Sequence, residues 1–191
     1  MIDPALKRAL GQAAKAVEVV TATHNGITRG YTSHWVTQVS FEEPIVMASV
    51  SPKHDTYPLM IASGAFTVSF LAGDQVNIGQ YFSYPGRKFH YIAPEYLTEE
   101  NGHAIVRDCL SWIHAEIFET KTMADHELLF ARVTDYGYGR LREAPLVYSS
   151  RHGWRVASDK ARAPGESPRD ELLARLAAAG FDAADDAGDD D

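Results

Sequence analysis

Three polar segments hold residue types that can together grip a ligand with one flat end and one anionic end. They are Gly30 to Val36 (GYTSHWV), Ser49 to Thr56 (SVSPKHDT) and Pro85 to Phe89 (PGRKF). In the first, Thr32, Ser33, His34, Trp35 and Val36 offer strand amides and an apolar wall to a planar group. Adjacent strand side chains face opposite ways, so backbone amides along one edge, not all five side chains, would make the contact. In the second, Ser49, Val50, Ser51, Pro52 and Lys53 run towards Thr56 at a helix start, a run of hydroxyls and one cation suited to a polar chain and an anion. In the third, Arg87 can hold a phosphate bidentately, Lys88 adds a point charge and Phe89 follows with an aromatic ring. Read alone, each segment also fits ordinary structure: a hydroxyl-rich strand, a surface loop with a routine N-cap, a solvated basic turn.

The elements that must position these segments are mostly strands. Pro4 to about Ala16 carries Leu6, Leu10, Ala13 and Ala14 at helical spacing. Val17 to Thr23 is β-branched, and Asn25-Gly26 then gives the strongest short hairpin signal before a long return strand, Ile27 to Ser40. Ile45 to Ser51 reads as a strand buried on both sides. Asp55 or Thr56 caps a helix with Pro58 in its first turn, which ends at Ser63-Gly64. Ala65 to Leu71 is a strand, and Asp74 to Phe82 a short helix before the Pro85-Gly86 turn. Ala104 to Arg107, Ser111 to Glu119, Leu128 to Tyr138 and Leu146 to Ser149 complete the strands. Several strands with tight turns and only peripheral helices predict a mainly β, antiparallel barrel.

The domain expected is 1–157. Residues 158–191 read as a linker around 163–168, a helix over Arg169 to Phe181 and an acidic disordered tail. That tail dominates the charge: the chain carries −8, and six aspartates lie in the last ten residues, leaving −2 for the remainder. No basic face suited to a phosphate backbone is evident, so nucleic acid is not an expected partner. No apolar run approaches the ~20 residues of a membrane span. With a single cysteine, Cys109, and no signal-like start, a cytoplasmic location is the expectation.

Eight histidines are scattered over different elements without a compact motif such as H-E-x-x-H, and no metal site is expected. Cys109 has no partner motif for nucleophilic work and reads as a buried thiol. A nucleophile elbow and a phosphate-binding P-loop are both absent.

Taken in order, the segments resemble the flavin reductase-like, FMN-binding split-barrel family. The matching residues are Gly30, Thr32, His34-Trp35, Val36, Val39-Ser40, Pro44, Ser49-Val50 and Thr56. Ser63-Gly64-Ala65-Phe66, Lys88-Phe89, Asp125-His126 and Pro145 to Tyr148 continue the pattern, which covers about residues 5 to 157. The resemblance implies a six-stranded antiparallel Greek-key split barrel with peripheral helices, in a homodimer. It implies FMN or FAD as cofactor, NADH or NADPH as hydride donor, and a partner monooxygenase or other acceptor. Within it, His126 lies where the nicotinamide approaches the flavin and is the catalytic candidate. His34 and His54 depart from the pattern, each standing where a small hydroxyl residue is usual. A flavin-binding carrier without reductase activity, a haem-binding split barrel and an unliganded interaction domain are the competing readings.

Overall fold

The computed structural model describes residues 3–83 and 93–156. Arg87, Lys88 and Phe89, the Pro85-Gly86 turn, the linker, the helix expected over 169–181 and the acidic tail all lie outside the described residues.

The chain opens with α1 (Pro4–Leu10), where the Asp3 carboxylate accepts the Ala5 amide at 2.7 Å. The helix was expected to reach Ala16 but stops at Gly11. Lys15–Ala16 (β1) is drawn instead into a ladder, pairing with Tyr148 and Val147. Next come β2 (Glu18–His24) and β3 (Ile27–Ser33), joined by the expected two-residue turn. Asn25 and Gly26 both adopt positive φ there, +51° and +74°, the mirror-image turn whose twist matches a strand pair. The long strand expected over Ile27 to Ser40 is broken at His34-Trp35, and β4 (Val36–Gln38) follows as a separate piece.

That break closes the fold. The main sheet runs β3-β2-β6-β9-β10-β5-β4, where β5 is Ile45–Val50, β6 Ala65–Phe70, β9 Ser111–Met123 and β10 His126–Tyr138. Strands β3 and β4 stand at opposite edges, yet only His34 and Trp35 separate them in sequence. The sheet must therefore curl until its edges adjoin, giving a barrel that is split at those two residues. The six long strands β2, β3, β5, β6, β9 and β10 are the expected antiparallel barrel. Register shifts at Phe130/Ala131 and Val133/Asp135 bend the long β9–β10 hairpin, as bulges do, so that it can wrap.

Inside the barrel, Val20, Ala22, Val46, Val50, Phe66, Val68 and Leu129 pack together, and α2 (Tyr57–Ser63) closes one end by burying Met60 among them. Strand β5 corrects an expectation: Val46, Ala48 and Val50 are buried, but Ile45, Met47 and Ser49 on the alternate face are only half-buried. A second apolar cluster lies outside β2, where Val17 and Val19 meet Trp112, Leu146 and Ile78 and Phe82 of α3 (Val76–Ser83). Four small elements were not anticipated or only partly so. Helix α4 (Ala93–Tyr96) leads into the β7 (Leu97–Glu100) and β8 (His103–Val106) hairpin. Strand β12 (Gly153–Val156) then pairs with β11 (Leu146–Ser149), extending the β1 ladder.

Candidate functional site

The break between β3 and β4 carries the site. A cavity of about 590 Å³ opens beside it, lined by His34, Trp35, Val36 and Thr37 from the break and by Met47 and Ser49 from β5. Met123, His126 and Leu128 come from the β9–β10 hairpin, and Lys15, Ala16 and Glu18 from the opposite edge. Five of the residues singled out from sequence thus meet at one cavity: His34, Trp35, Val36, Ser49 and His126.

Trp35 is the flat wall, its indole 48% exposed. Its backbone is not free for a ligand: the amide donates to Ser33 Oγ at 3.1 Å, and the carbonyl accepts the Ser49 amide at 2.9 Å. The expectation that strand amides here greet a ligand therefore does not hold for Trp35; its ring remains. Lys15 Nζ lies 5.3 Å from the centre of that ring, a cation held over an aromatic face.

His126 begins β10, directly after the Ala124-Asp125 turn in which Ala124 takes a φ of +55°. Its ring stands edge-on to Trp35, centroids 5.0 Å apart, and its Nδ1 lies 2.9 Å from Asp125 Oδ1. This hydrogen bond is the first cause holding the Asp125 carboxyl below the usual carboxylate range. With Nδ1 engaged by Asp125, Nε2 is the atom left to face a ligand.

The two unusual histidines are packed, not pendant. His34 stacks on Tyr148 at 4.5 Å, nearly parallel, with Nδ1 3.3 Å from the Ala16 carbonyl. Burial, before any charge, pushes its pKa below the usual histidine value. His54 stacks on Tyr31 at 4.6 Å. Burial first, then the neighbouring His126, lowers its pKa as well, with Asp55 opposing. Burial favours the neutral form of both imidazoles, and both lie face-on against tyrosine. The haem reading, which requires one of them aimed into the cavity as an axial ligand, gains nothing from this packing.

The remaining sequence candidates lie around this cavity, not in its wall. Thr32 Oγ donates to the Gly79 carbonyl at 2.6 Å beneath α3. Ser33, Val50 and Thr56 are buried. Thr56 starts α2 without a side-chain cap hydrogen bond, so its role there is positional. Ser51 Oγ accepts the Lys53 amide at 3.4 Å and its carbonyl the His54 amide at 3.0 Å, which folds the Ser51-Pro52-Lys53 loop into a turn. Lys53 is close enough to Asp125 to lower its pKa further, so the loop's cation stands by the His126 turn. Among the described residues there is no group of three or more His, Cys, Asp or Glu side chains that could hold a metal.

Sequence reasoning missed Lys15, Met47, Met123 and Glu18. Lys15 was hidden in the expected helix; Gly11 as a helix stop was the signal that could have released it. Met47 follows from the alternation of β5, once one face is recognised as open. Planar aromatic wall, apolar methionines, one hydroxyl and one imidazole suit a flat heteroaromatic ring with polar edges, and the nearby lysines suit negative charge.

Comparison with known proteins supports the same class. Residues 10–155 match the flavin reductase like domain family. The chain is 30% identical over 147 residues to the reductase component of 4-hydroxyphenylacetate 3-monooxygenase from Thermus thermophilus, spanning 77% of this chain and 92% of that protein. It is 27% identical over 138 residues to the reductase subunit of stachydrine N-demethylase from Rhizobium meliloti, covering 71% of this chain and 60% of that one. Of another Rhizobium meliloti relative it spans only 44%. The solved styrene monooxygenase flavin reductase of Pseudomonas putida S12 superposes with a TM-score of 0.72 at 24% identity, over 83% of this chain and 99% of that one. The fold is therefore that of the flavin reductase split barrels. The chain belongs to the flavin reductase like domain family.

Proposed function

We propose that this protein binds FMN or FAD at the barrel split and takes hydride from NADH or NADPH, passing electrons to a partner monooxygenase or another acceptor. The observation that carries the reading is the edge-on pair of His126 and Trp35 at the mouth of a cavity that also holds Ser49. A bound flavin would supply the two-electron acceptor. The chain's own residues supply placement and electrostatics. Trp35 and the methionines give the ring an apolar wall. Ser49 and His126 give polar contacts at its edges, and Lys15 a positive field. Asp125 accepts the Nδ1–H of His126 and so orients the ring, leaving Nε2 as the atom that meets the polar edge of a bound flavin. For the anionic tail, Lys53 is the candidate within the described residues, and Arg87, Lys88 and Phe89 are proposed with it.

A homodimer is part of the proposal. Trp35, Val39, Phe41, Met123 and Phe118 are large apolar side chains left exposed, which a partner subunit would cover.

Anaerobic stopped-flow mixing with NADH and with NADPH tests the reading. Rapid bleaching of the visible absorbance of bound flavin supports it. Flavin that binds but is not reduced on a functional timescale gives the carrier reading instead, and colourless protein that gains no thermal stability from FMN or FAD gives the interaction-domain reading.

A further inference from the structure

Glu18 interrupts an apolar column. The period of β2 turns Glu18, Val20 and Ala22 to the same inner face of the barrel; Val20 and Ala22 pack the core, and Glu18 is 1% exposed. It is the only buried carboxylate among the described residues. Its Oε2 has no hydrogen-bond partner, an arrangement that costs folding free energy and is rare without a compensating role.

Above Glu18 a second cavity of about 550 Å³ opens at the barrel end opposite α2. Its walls are mostly apolar, with Val36 and Val46 from one side, Phe70 and Ile113 from the floor strands and Val133 and Tyr138 from β10, and Thr37, Gln38 and Ser111 add polar groups. Glu18 supplies the one carboxyl in the lining, and the mouth of a β-barrel is a common place for a small ligand. We propose that this barrel-mouth cavity binds a small organic cation, an arylamine or alkylamine whose apolar body fills the mouth and whose ammonium pairs with the Glu18 carboxylate. An apolar ligand would leave Oε2 as isolated as before; an ammonium donates to it and brings the countercharge that a buried carboxylate needs.

Burial raises the Glu18 pKa from 4.5 to about 8, so at pH 7 the empty site holds a carboxylic acid. Tyr31 on β3 is the titratable neighbour coupled to it, its own pKa raised by burial and then by the Glu18 charge. Arrival of an ammonium therefore converts acid to carboxylate, and the displaced proton goes to solvent. The cavity shares Ala16, Glu18, Val36 and Thr37 with the cavity at the split, so an occupant would touch the rear of that site. The inference does not depend on flavin being bound.

The test is titration calorimetry of the purified chain with benzylamine at pH 7, in two buffers of different ionisation enthalpy. Saturable binding with release of about one proton per amine is expected. Glu18→Gln keeps the shape and removes the charge; it should weaken benzylamine about tenfold or more and change benzyl alcohol little. Methyl NMR should show the Ile113 and Val133 signals moving. No binding by the unaltered chain overturns the proposal. So does binding without proton release, or shifts confined to the Met47 and Met123 methyls of the other cavity.

Discussion

His126 and Trp35 lie 91 positions apart in the sequence, yet their rings meet edge-on at 5.0 Å, one from the start of β10 and the other from the break between β3 and β4. The contact exists because β4 pairs with β5 and β5 with β10, bringing the break alongside the β9–β10 turn. Trp35→Ala should remove the flat wall and weaken flavin binding about tenfold, as loss of an aromatic stacking face does. His126→Ala should leave flavin affinity within a few-fold but slow reduction by the nicotinamide about 100-fold. Fluorescence titration and stopped-flow reduction separate the two effects.

Glu18 gives stability a defined pH dependence. Its folded-state pKa, about 8, stands above the unfolded value of 4.5, so the folded chain binds more protons between those values. The contribution is complete below about pH 4.5 and is lost as pH rises through about 8. Glu18→Gln should abolish this decline, so its stability relative to the unaltered chain should grow by a few kcal/mol from pH 5 to pH 9. Denaturant melts at several pH values would measure it.

Histidines act in the opposite sense. Burial lowers the pKa values of His34, His54 and His114 in the folded state. Below about pH 6.5 the unfolded chain takes up protons that these imidazoles refuse, so stability should fall as pH drops through that range. Replacing all three with Gln should flatten that acid limb; an unchanged limb would contradict the assignment.

Packing inside the barrel should dominate the cost of single substitutions. Phe66→Ala empties a fully buried site beside Met60 and should cost about 3–5 kcal/mol. Leu6→Ala on exposed α1 should stay within about 0.5 kcal/mol. The Arg140 guanidinium holds Asp74 through two hydrogen bonds of 2.8 and 2.7 Å at the start of the α3 turn. Because that pair is largely exposed, Arg140→Ala should cost about 1 kcal/mol or less, shrinking in high salt.

What was legible in the sequence was what local chemistry decides. Asn25-Gly26 could only be a tight hairpin turn, and the β-branched runs beside it could only be strands. Gly64, at a φ of +69°, ended α2 where a glycine was expected to. The split itself was not legible. A run from Ile27 to Ser40 looks continuous because nothing local in His34-Trp35 announces that its two halves pair with strands at opposite edges. Long-range pairing decides that, as it decides that Lys15 leaves the helix for β11. Glu18 was invisible for a related reason. Period two groups it with Val20 and Ala22, but the period alone does not say which face of β2 is the barrel interior, and β2 is buried on both. Of the candidate site, the hydroxyl-rich segments pointed to residues that border the cavity at the split, whereas the side chains of Thr32 and Ser33 turned out to be engaged by Gly79 and Trp35.

The most direct measurement of the central claim is a crystal structure of the chain with FMN. The expected result is the ring lying against the Trp35 indole between Ser49 and His126, with its phosphate beside Lys53. A ring seated anywhere else, or a split left empty at saturating FMN, would contradict it.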